Sequence, residues 1–305
     1  MGRRILMKRS KSKTICGVTA VALCTVVACF WSVWGTIENF HEGWYQRTTL
    51  ENLLLSVVQY VGWPIGFALL AVVGIWQPRL GAILFVSIGI LLNAFLFGFR
   101  NAVGIQWILV PCLLIGMLFG LGDVPYRRWA TGIVVGLPMA IILGIGIPLM
   151  WKVSHRLTEI SNNSLFWKSG DVTLVWAPPG PGWPQSGVEH RQAEYISDHL
   201  TLDGRSLSKQ PLHLWRLPTV DEAVLALNRG GKPAGCVFGG KPGFQPCKTE
   251  PDKEAPLWDP FSQVIYWWTG TYDAKGKNLR VAYNGYVLPV SKRATGDTGF
   301  RAVMR

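Results

Sequence analysis

The sequence predicts two architectures in one chain: an all-α polytopic membrane domain of about five helices, then an α+β domain. Three observations carry that expectation. Long uncharged apolar runs recur as far as Trp151 and then stop. Charge is split to match, with eleven Lys/Arg and four Asp/Glu in residues 1–150 against nineteen and fourteen in residues 151–305. The second half carries instead two capping-box patterns and alternating aromatic-rich runs, the marks of short helices and strands. A length of 305 residues, 49% of them hydrophobic, holds about two domains of ordinary size.

The chain opens with a basic tail, residues 1–14, that holds Arg3, Arg4, Lys8, Arg9, Lys11 and Lys13. Such a tail beside an apolar run sets membrane topology. No basic–aromatic groove motif follows it, so no nucleic acid is expected among the partners despite a net charge of +12. The transmembrane domain covers residues 15–151, in uncharged runs at Ile15–Thr36, Asn52–Trp76, Leu80–Phe99, Ile105–Leu121 and Trp129–Trp151. Each approaches or exceeds the roughly 17–25 residues a helix needs to cross a bilayer. Only Arg100-Asn101 marks the break between the third and fourth, so four spans is the competing count.

Orientation follows from the flanking charges. With the N-terminus inside, the inner segments carry the six tail charges plus Arg79, Arg127 and Arg128; the outer ones carry Arg47 and Arg100, with Lys152 and Arg156 just past the last span. Nine against four favours a cytoplasmic N-terminus, and five crossings then place the second domain outside the cytoplasm. Trp31, Trp34, Trp44, Trp76, Trp129 and Trp151 lie near span ends, as interfacial anchors do. A competing reading takes Val26-Val27-Ala28-Cys29 as a lipoprotein signal cleaved before Cys29, which leaves residue 40 on the same outer side.

The spans hold no Asp, Glu, Lys, Arg or His, which argues against an ion or proton path and for an anchor or assembly scaffold in the lipid bilayer. Gly116-x-x-x-Gly120 and Gly132-x-x-x-Gly136 permit close helix packing. In the first outer loop Glu38, His41 and Glu42 share one face if helical, which is one half of a di-metal carboxylate set whose second half the sequence lacks. An interfacial polar turn is the plainer reading, and no metal is expected.

Residues 152–170 are polar and read as a stalk, and residues 171–305 as the second domain. Val172 to Trp176 alternates as a strand does, and Ala177 to Pro184 is a Pro/Gly-rich rigid loop. Ser186 with Glu189 predicts a capping box that opens a helix burying Ala193, Ile196 and Leu200. Leu214 to Ala223 reads as a strand end running into a second helix. Pro218 stops the strand, Thr219 is the N-cap with Glu222 three residues on, and Val220, Val224 and Leu227 share the apolar face before Gly230-Gly231. Strands are expected at Val264–Thr271, Leu279–Tyr283, Tyr286–Val290 and Phe300–Met304. Cys236 and Cys247 form an isolated pair, which outside the cytoplasm favours a disulfide worth about 2–3 kcal/mol. Cys16, Cys24, Cys29 and Cys112 lie in spans and read as small apolar residues.

Several of these residues together resemble one family. They are Leu174-Val175-Trp176; Trp215-Arg216-Leu217-Pro218-Thr219 with Glu222; Tyr266-Trp267-Trp268-Thr269-Gly270-Thr271; and the closing Gly299-Phe300-Arg301-Ala302-Val303. Trp176 to Arg305 resembles the Lcl C-terminal domain family, a relative of the formylglycine-generating enzymes and sulfatase-modifying factors. The resemblance implies a C-type-lectin-like fold and no generally assigned reaction. The formylglycine-generating enzymes use a cysteine pair shortly before their closing Gly-Phe-Arg, whereas Val290 to Gly299 here holds no Cys, so thiol chemistry of that kind is not expected. C-type lectins hold calcium and sugar on a Glu/Gln-Pro-Asn/Asp loop. Glu250-Pro251-Asp252 and Trp258-Asp259 are the counterpart here, although the customary Trp-Asn-Asp is missing.

Trp183, Trp258 and Tyr272 are the candidate aromatic binding surface, while Trp267 and Trp268 are expected to fill core. His190 and Glu194, four apart, read as a surface pair, and His213 as a packed strand residue. No Ser–His–Asp or paired-carboxylate arrangement emerges from spacing. The expected role is therefore recognition or assembly outside the cytoplasm, with a glycan, a protein or other membrane subunits as partner. The rivals are an enzyme of the sulfatase-modifying type with an altered site and a purely structural subunit of a membrane complex.

Overall fold

A computed structural model describes residues 11–96, 105–156, 166–169, 172–254, 256–259, 261–290 and 298–304. Most of the basic tail, the Arg100-Asn101 break and residues 291–297 before the closing Gly-Phe-Arg lie outside them. The chain divides into two units: Met1–Gly43 with Leu50–Trp151, and Trp44–Thr49 with Lys152–Arg305. The first is a helical region with four long apolar helices; the second is a mixed α/β region with a five-stranded sheet.

In the first unit α1 is Lys11–His41. α2 (Thr49–Ser56) runs through a π-helical turn at Val57–Val61 into α3 (Gly62–Trp76). Then follow α4 (Pro78–Leu96), a π-helical turn at Ile105–Leu109, α5 (Val110–Leu121) and α6 (Arg127–Ser154). Among the described residues, four stretches are long and apolar enough to cross a membrane, namely Lys11–His41, Thr49–Trp76, Pro78–Leu96 and Arg127–Ser154. The run expected at Ile105–Leu121 is divided, its α-helical part only 12 residues long. Pro111 is the physical reason, since its missing N–H interrupts the i→i−4 ladder and the turn upstream widens. Pro64 stands in the same relation to the π turn at Val57–Val61.

Small residues let the helices meet backbone to backbone. A Cβ on Gly81 would lie 2.3 Å from the Gly74 Cα, and one on Gly17 2.5 Å from the Asp123 carbonyl oxygen. Gly116 and Gly120 back onto Ala82 of α4, whereas Gly132 and Gly136 on α6 have nothing within 4 Å. Phe85 stacks on Phe119 at the centre, with Ala71, Ile75 and Ile115 around it. At one end of this unit the Asp123 amide donates to the Lys13 carbonyl (2.9 Å) and Arg127 to the Trp76 carbonyl (3.3 Å). At the other end Gly35 backs onto the Tyr60 carbonyl, and Gly146 onto Thr36.

In the second unit β1 (Phe166–Ser169), inside the stretch read as a stalk, pairs antiparallel with β2 (Val172–Val175). α7 is His190–His199, β3 Trp215–Arg216 and α8 Val220–Leu225. β4 (Asn228–Arg229) and β5 (Lys232–Pro233) form a hairpin. Its turn residues Gly230 and Gly231 have φ of 61° and 72°, which is the left-handed pair a two-residue hairpin needs. The second helix is thus shorter than its apolar pattern, and the glycines turn a hairpin rather than end a helix.

The main sheet has the order β10-β7-β8-β9-β6, with β6 Gly243–Phe244, β7 Tyr266–Tyr272, β8 Asn278–Ala282, β9 Tyr286–Val290 and β10 Thr298–Gly299. Among the described strands of this sheet, β10 alone is parallel to its neighbour. Of the last expected strand, Phe300–Met304, only β11 (Val303–Met304) forms, and it pairs with β3 instead of joining the main sheet. Neighbours along β7 point to opposite faces. Trp267 enters a core with Val220, Val224, Leu257 and Trp258, and Trp268 a second one with Ala193, Leu200, Trp215 and Phe300. Each face of the sheet therefore carries one helix, α8 on the first and α7 on the second. Residues 44–49 belong here too, with the Arg47 guanidinium over Phe261 and Gln263 donating to the Tyr45 hydroxyl (3.3 Å).

The first expected capping box is corrected. α7 begins at His190 with Glu189 itself as N-cap, and no side chain caps it. Residues just before it are committed elsewhere: the Val188 amide donates to the Thr298 carbonyl (2.9 Å), and its carbonyl accepts from the Trp268 indole (2.8 Å). A tertiary contact has taken the place of the local cap.

Candidate functional site

The strand-to-helix turn at Thr219 forms as its sequence dictates. Thr219 Oγ1 accepts from the Glu222 amide (3.2 Å) and Glu222 Oε2 accepts from the Thr219 amide (2.7 Å), a reciprocal cap. Arg216 then closes on Glu222 with two hydrogen bonds of 2.6 Å. Burial alone would raise the Glu222 carboxyl, but the Arg216 guanidinium and the Thr219 amide hold it below the usual range, while that bond raises Arg216. Trp215, Leu217 and Phe300 are core, and Pro218 gives its carbonyl to the Gly270 amide (2.8 Å). This motif joins the helix to the sheet rather than presenting a reactive group.

Arg301 is the polar hub. It is fully buried, donates to the Ala177 carbonyl (2.8 Å) and to the Pro256 carbonyl, and lays its guanidinium 3.7 Å from the centre of the Trp183 ring. Burial pushes it down to about 9, with Asp259 opposing, so it is charged at neutral pH. Two residues before it, Gly299 leaves no room for a side chain, since a Cβ there would lie 2.8 Å from Val264. Trp183, expected on a binding surface, is therefore core: beneath the cation on one side, and donating its indole N–H to the Leu257 carbonyl (3.1 Å) on the other.

The loop expected to hold calcium and sugar is likewise turned inward. Asp252, Lys253, Glu254, Trp258 and Asp259 are all buried, and of the expected ligand residues only Glu250 and Tyr272 are exposed. Trp258 meets Trp267 at 4.3 Å between ring centres, and the Lys253 ammonium lies 4.8 Å above the Trp258 ring. Asp259 accepts from the Gln185 amide (3.2 Å) and the Phe261 amide (2.9 Å).

Asp252 is surrounded by cations. Arg156 is 3.0 Å from Oδ1, Lys152 3.6 Å and Arg229 3.8 Å from Oδ2, and the Lys253 amide donates to Oδ1 at 2.7 Å. Burial raises this carboxyl, but Arg156, the amide, Lys152 and Arg229 together hold it below the usual carboxylate range. A divalent cation would meet three positive groups here, so the expected calcium loop is corrected to an ion-pair centre whose surplus charge is positive. Spacing hid this cluster, since Lys152 and Arg156 had registered only as charges past the last span.

His190 is also corrected, from a surface pair to a buried residue. Its Nε2 lies 3.1 Å from the Thr269 carbonyl and 2.7 Å from the Asn278 amide group, and its Nδ1 3.4 Å from Glu194 Oε2. Glu194 is 45% exposed and accepts from the Tyr272 hydroxyl (3.2 Å). The ring is thereby held with Nε2 against the Thr269 carbonyl and the Asn278 amide group and with Nδ1 turned toward Glu194. His213, expected packed, is exposed, has φ of 53° and pairs with Asp198 at 3.0 Å.

Cys236 and Cys247 are joined by a disulfide. The ligand atoms of Glu38, His41 and Glu42 lie within 4.8 Å of one another at the end of α1, a set with room for three protein bonds to a cation. An apolar groove of ≈ 600 Å³ lies between α4 and α5, lined by Ala82, Ile83, Leu113 and Gly116. Comparison with protein families, with curated proteins and with solved structures finds no match to this chain.

Proposed function

We infer that this chain is a multi-pass membrane protein that displays its α/β region outside the cytoplasm as a recognition or assembly module. The observation that carries the reading is the use made of the polar and aromatic groups. Arg301, Asp252, His190, Trp183 and Trp258 all face inward and are spent on holding the domain together, beside four helices apolar enough for a bilayer. That leaves its outer surface, rather than a reactive cleft, as the working part. The five-stranded sheet with one helix on each face supports the C-type-lectin-like, Lcl-type reading.

Five crossings are supported by the ends of the helical unit. Lys13 against Asp123, and Trp76 against Arg127, bring the start of α1, the end of α3, the end of α5 and the start of α6 to one end. α4 starts at that same end, at Pro78, and at ~1.5 Å per residue its far terminus lies a bilayer's width away. On this reading Ile105–Leu121 carries the chain back, and it meets the roughly 17-residue minimum for a span. The basic tail then assigns that end to the cytoplasm.

Trypsin added to intact cells should cleave the second unit, and Cys236 and Cys247 should alkylate only after reduction. A second unit shielded from external trypsin, with both thiols alkylated without reductant, would refute the orientation. A structural subunit of a larger membrane complex is the second reading, favoured by the open Gly132-x-x-x-Gly136 stripe of α6.

A further inference from the structure

We propose that Lys152, Arg156 and Arg229 bind the phosphate of an anionic phospholipid headgroup at the end of the last membrane span. The proposal rests on reading α6 as a span. Its first support is charge balance. Three cations converge on one carboxylate, Asp252, which leaves two positive charges uncompensated within the cluster. Asp252 is 4% exposed and fixes the three like-charged groups close together, while Lys152 and Arg229 are 38% and 39% exposed and face a ligand from outside.

The second support is open donor capacity. Lys152 and Arg229 stand 3.6 and 3.8 Å from Asp252, beyond hydrogen-bond length, so Asp252 leaves their N–H groups open to another acceptor. Arg229 also gives one N–H to the Glu250 main-chain carbonyl (3.3 Å). Arg156, whose side chain is 8% exposed, has a buried Nε with no hydrogen-bond partner among the described residues. Three multivalent donors around one site suit a ligand with several anionic oxygens, and a phosphate is such a ligand.

The third support is depth. Lys152 follows directly on Trp151, where the uncharged run ends, and sits in the last turn of α6. A cation one residue beyond an apolar span lies at the level of the lipid phosphates. Lipid phosphates are concentrated there, whereas a free anion has to be drawn from solution.

The test uses the full chain reconstituted in vesicles of phosphatidylcholine alone and of equimolar phosphatidylcholine and phosphatidylglycerol. Resistance to alkaline extraction checks the membrane reading separately. The lipid retained after purification, measured by mass spectrometry, checks the site. Phosphatidylglycerol should be enriched over its bulk share, and Lys152→Gln and Arg229→Gln should each lower that enrichment roughly fivefold, as expected for one basic group near a membrane surface. Lys275→Gln, in the exposed turn between β7 and β8, should leave it unchanged. Equal retention of both lipids by the wild type, or an equal loss with Lys275→Gln, would overturn the proposal. Full displacement of the lipid by inorganic phosphate would overturn the lipid as the ligand.

Discussion

Replacing Arg301 by Met tests whether the buried guanidinium holds the second unit together. Met fills much of the same volume, so the change isolates polar and cationic contacts from cavity formation. The Ala177 and Pro256 carbonyls lose their donor, at about 1–3 kcal/mol each for a buried unsatisfied group. The cation over Trp183 is lost as well, a desolvated contact worth about 2 kcal/mol. Together these come to about 4–8 kcal/mol, against a typical domain stability of about 5–15 kcal/mol. Unfolding of the full chain in detergent, followed by tryptophan fluorescence, should show a midpoint lower by roughly 10–30 °C. Arg301→Lys should fall between, since an ammonium still faces Trp183 but cannot reach both carbonyls in the guanidinium geometry. An Arg301→Met protein that melts within about 2 °C of the wild type would refute the assignment of Arg301 as the hub.

Three further outcomes follow from the same contacts. Thr219→Ala should cost about 1 kcal/mol in denaturant unfolding, and Thr219→Ser much less, because only the hydroxyl caps α8. Cys236→Ser, or reduction of the wild type, should destabilise the second unit by about 2–3 kcal/mol in the same assay, by opening the loop closed with Cys247. Asp252 and Glu222 have lowered folded values, so their contribution is complete above the unfolded carboxylate value of about 4 and is lost as pH falls through the folded one. Acid titration of thermal stability should therefore show a loss below about pH 4, and Asp252→Asn should remove part of that slope while lowering stability at neutral pH. A slope unchanged in Asp252→Asn would refute the ion-pair account.

Much of this molecule was legible because its signals are local. An uncharged run needs only its own residues to make a helix apolar, and Thr219 needs only Glu222, three residues on, to cap one. Trp267 and Trp268 were expected to fill core, and both do, in different cores because neighbours along β7 point to opposite faces. Where local pattern met a competing tertiary contact, the contact won. Ser186 and Glu189 had the spacing of a cap, yet Val188 is held by Thr298, more than a hundred residues away.

The sequence by itself determined which segments are apolar enough for a membrane, where α8 begins, and that residues from Lys152 onward would build a mixed domain. These follow from periodicity, proline and capping chemistry within a few residues. Only the tertiary structure decided that Trp183 and Trp258 are interior, that His190 is sealed against Thr269, and that Lys152, Arg156 and Arg229 gather on Asp252. Charge and aromaticity say what a side chain offers. Whether it offers that to solvent, to a ligand or to the protein's own carbonyls depends on chain closure over tens of residues, which no local spacing encodes.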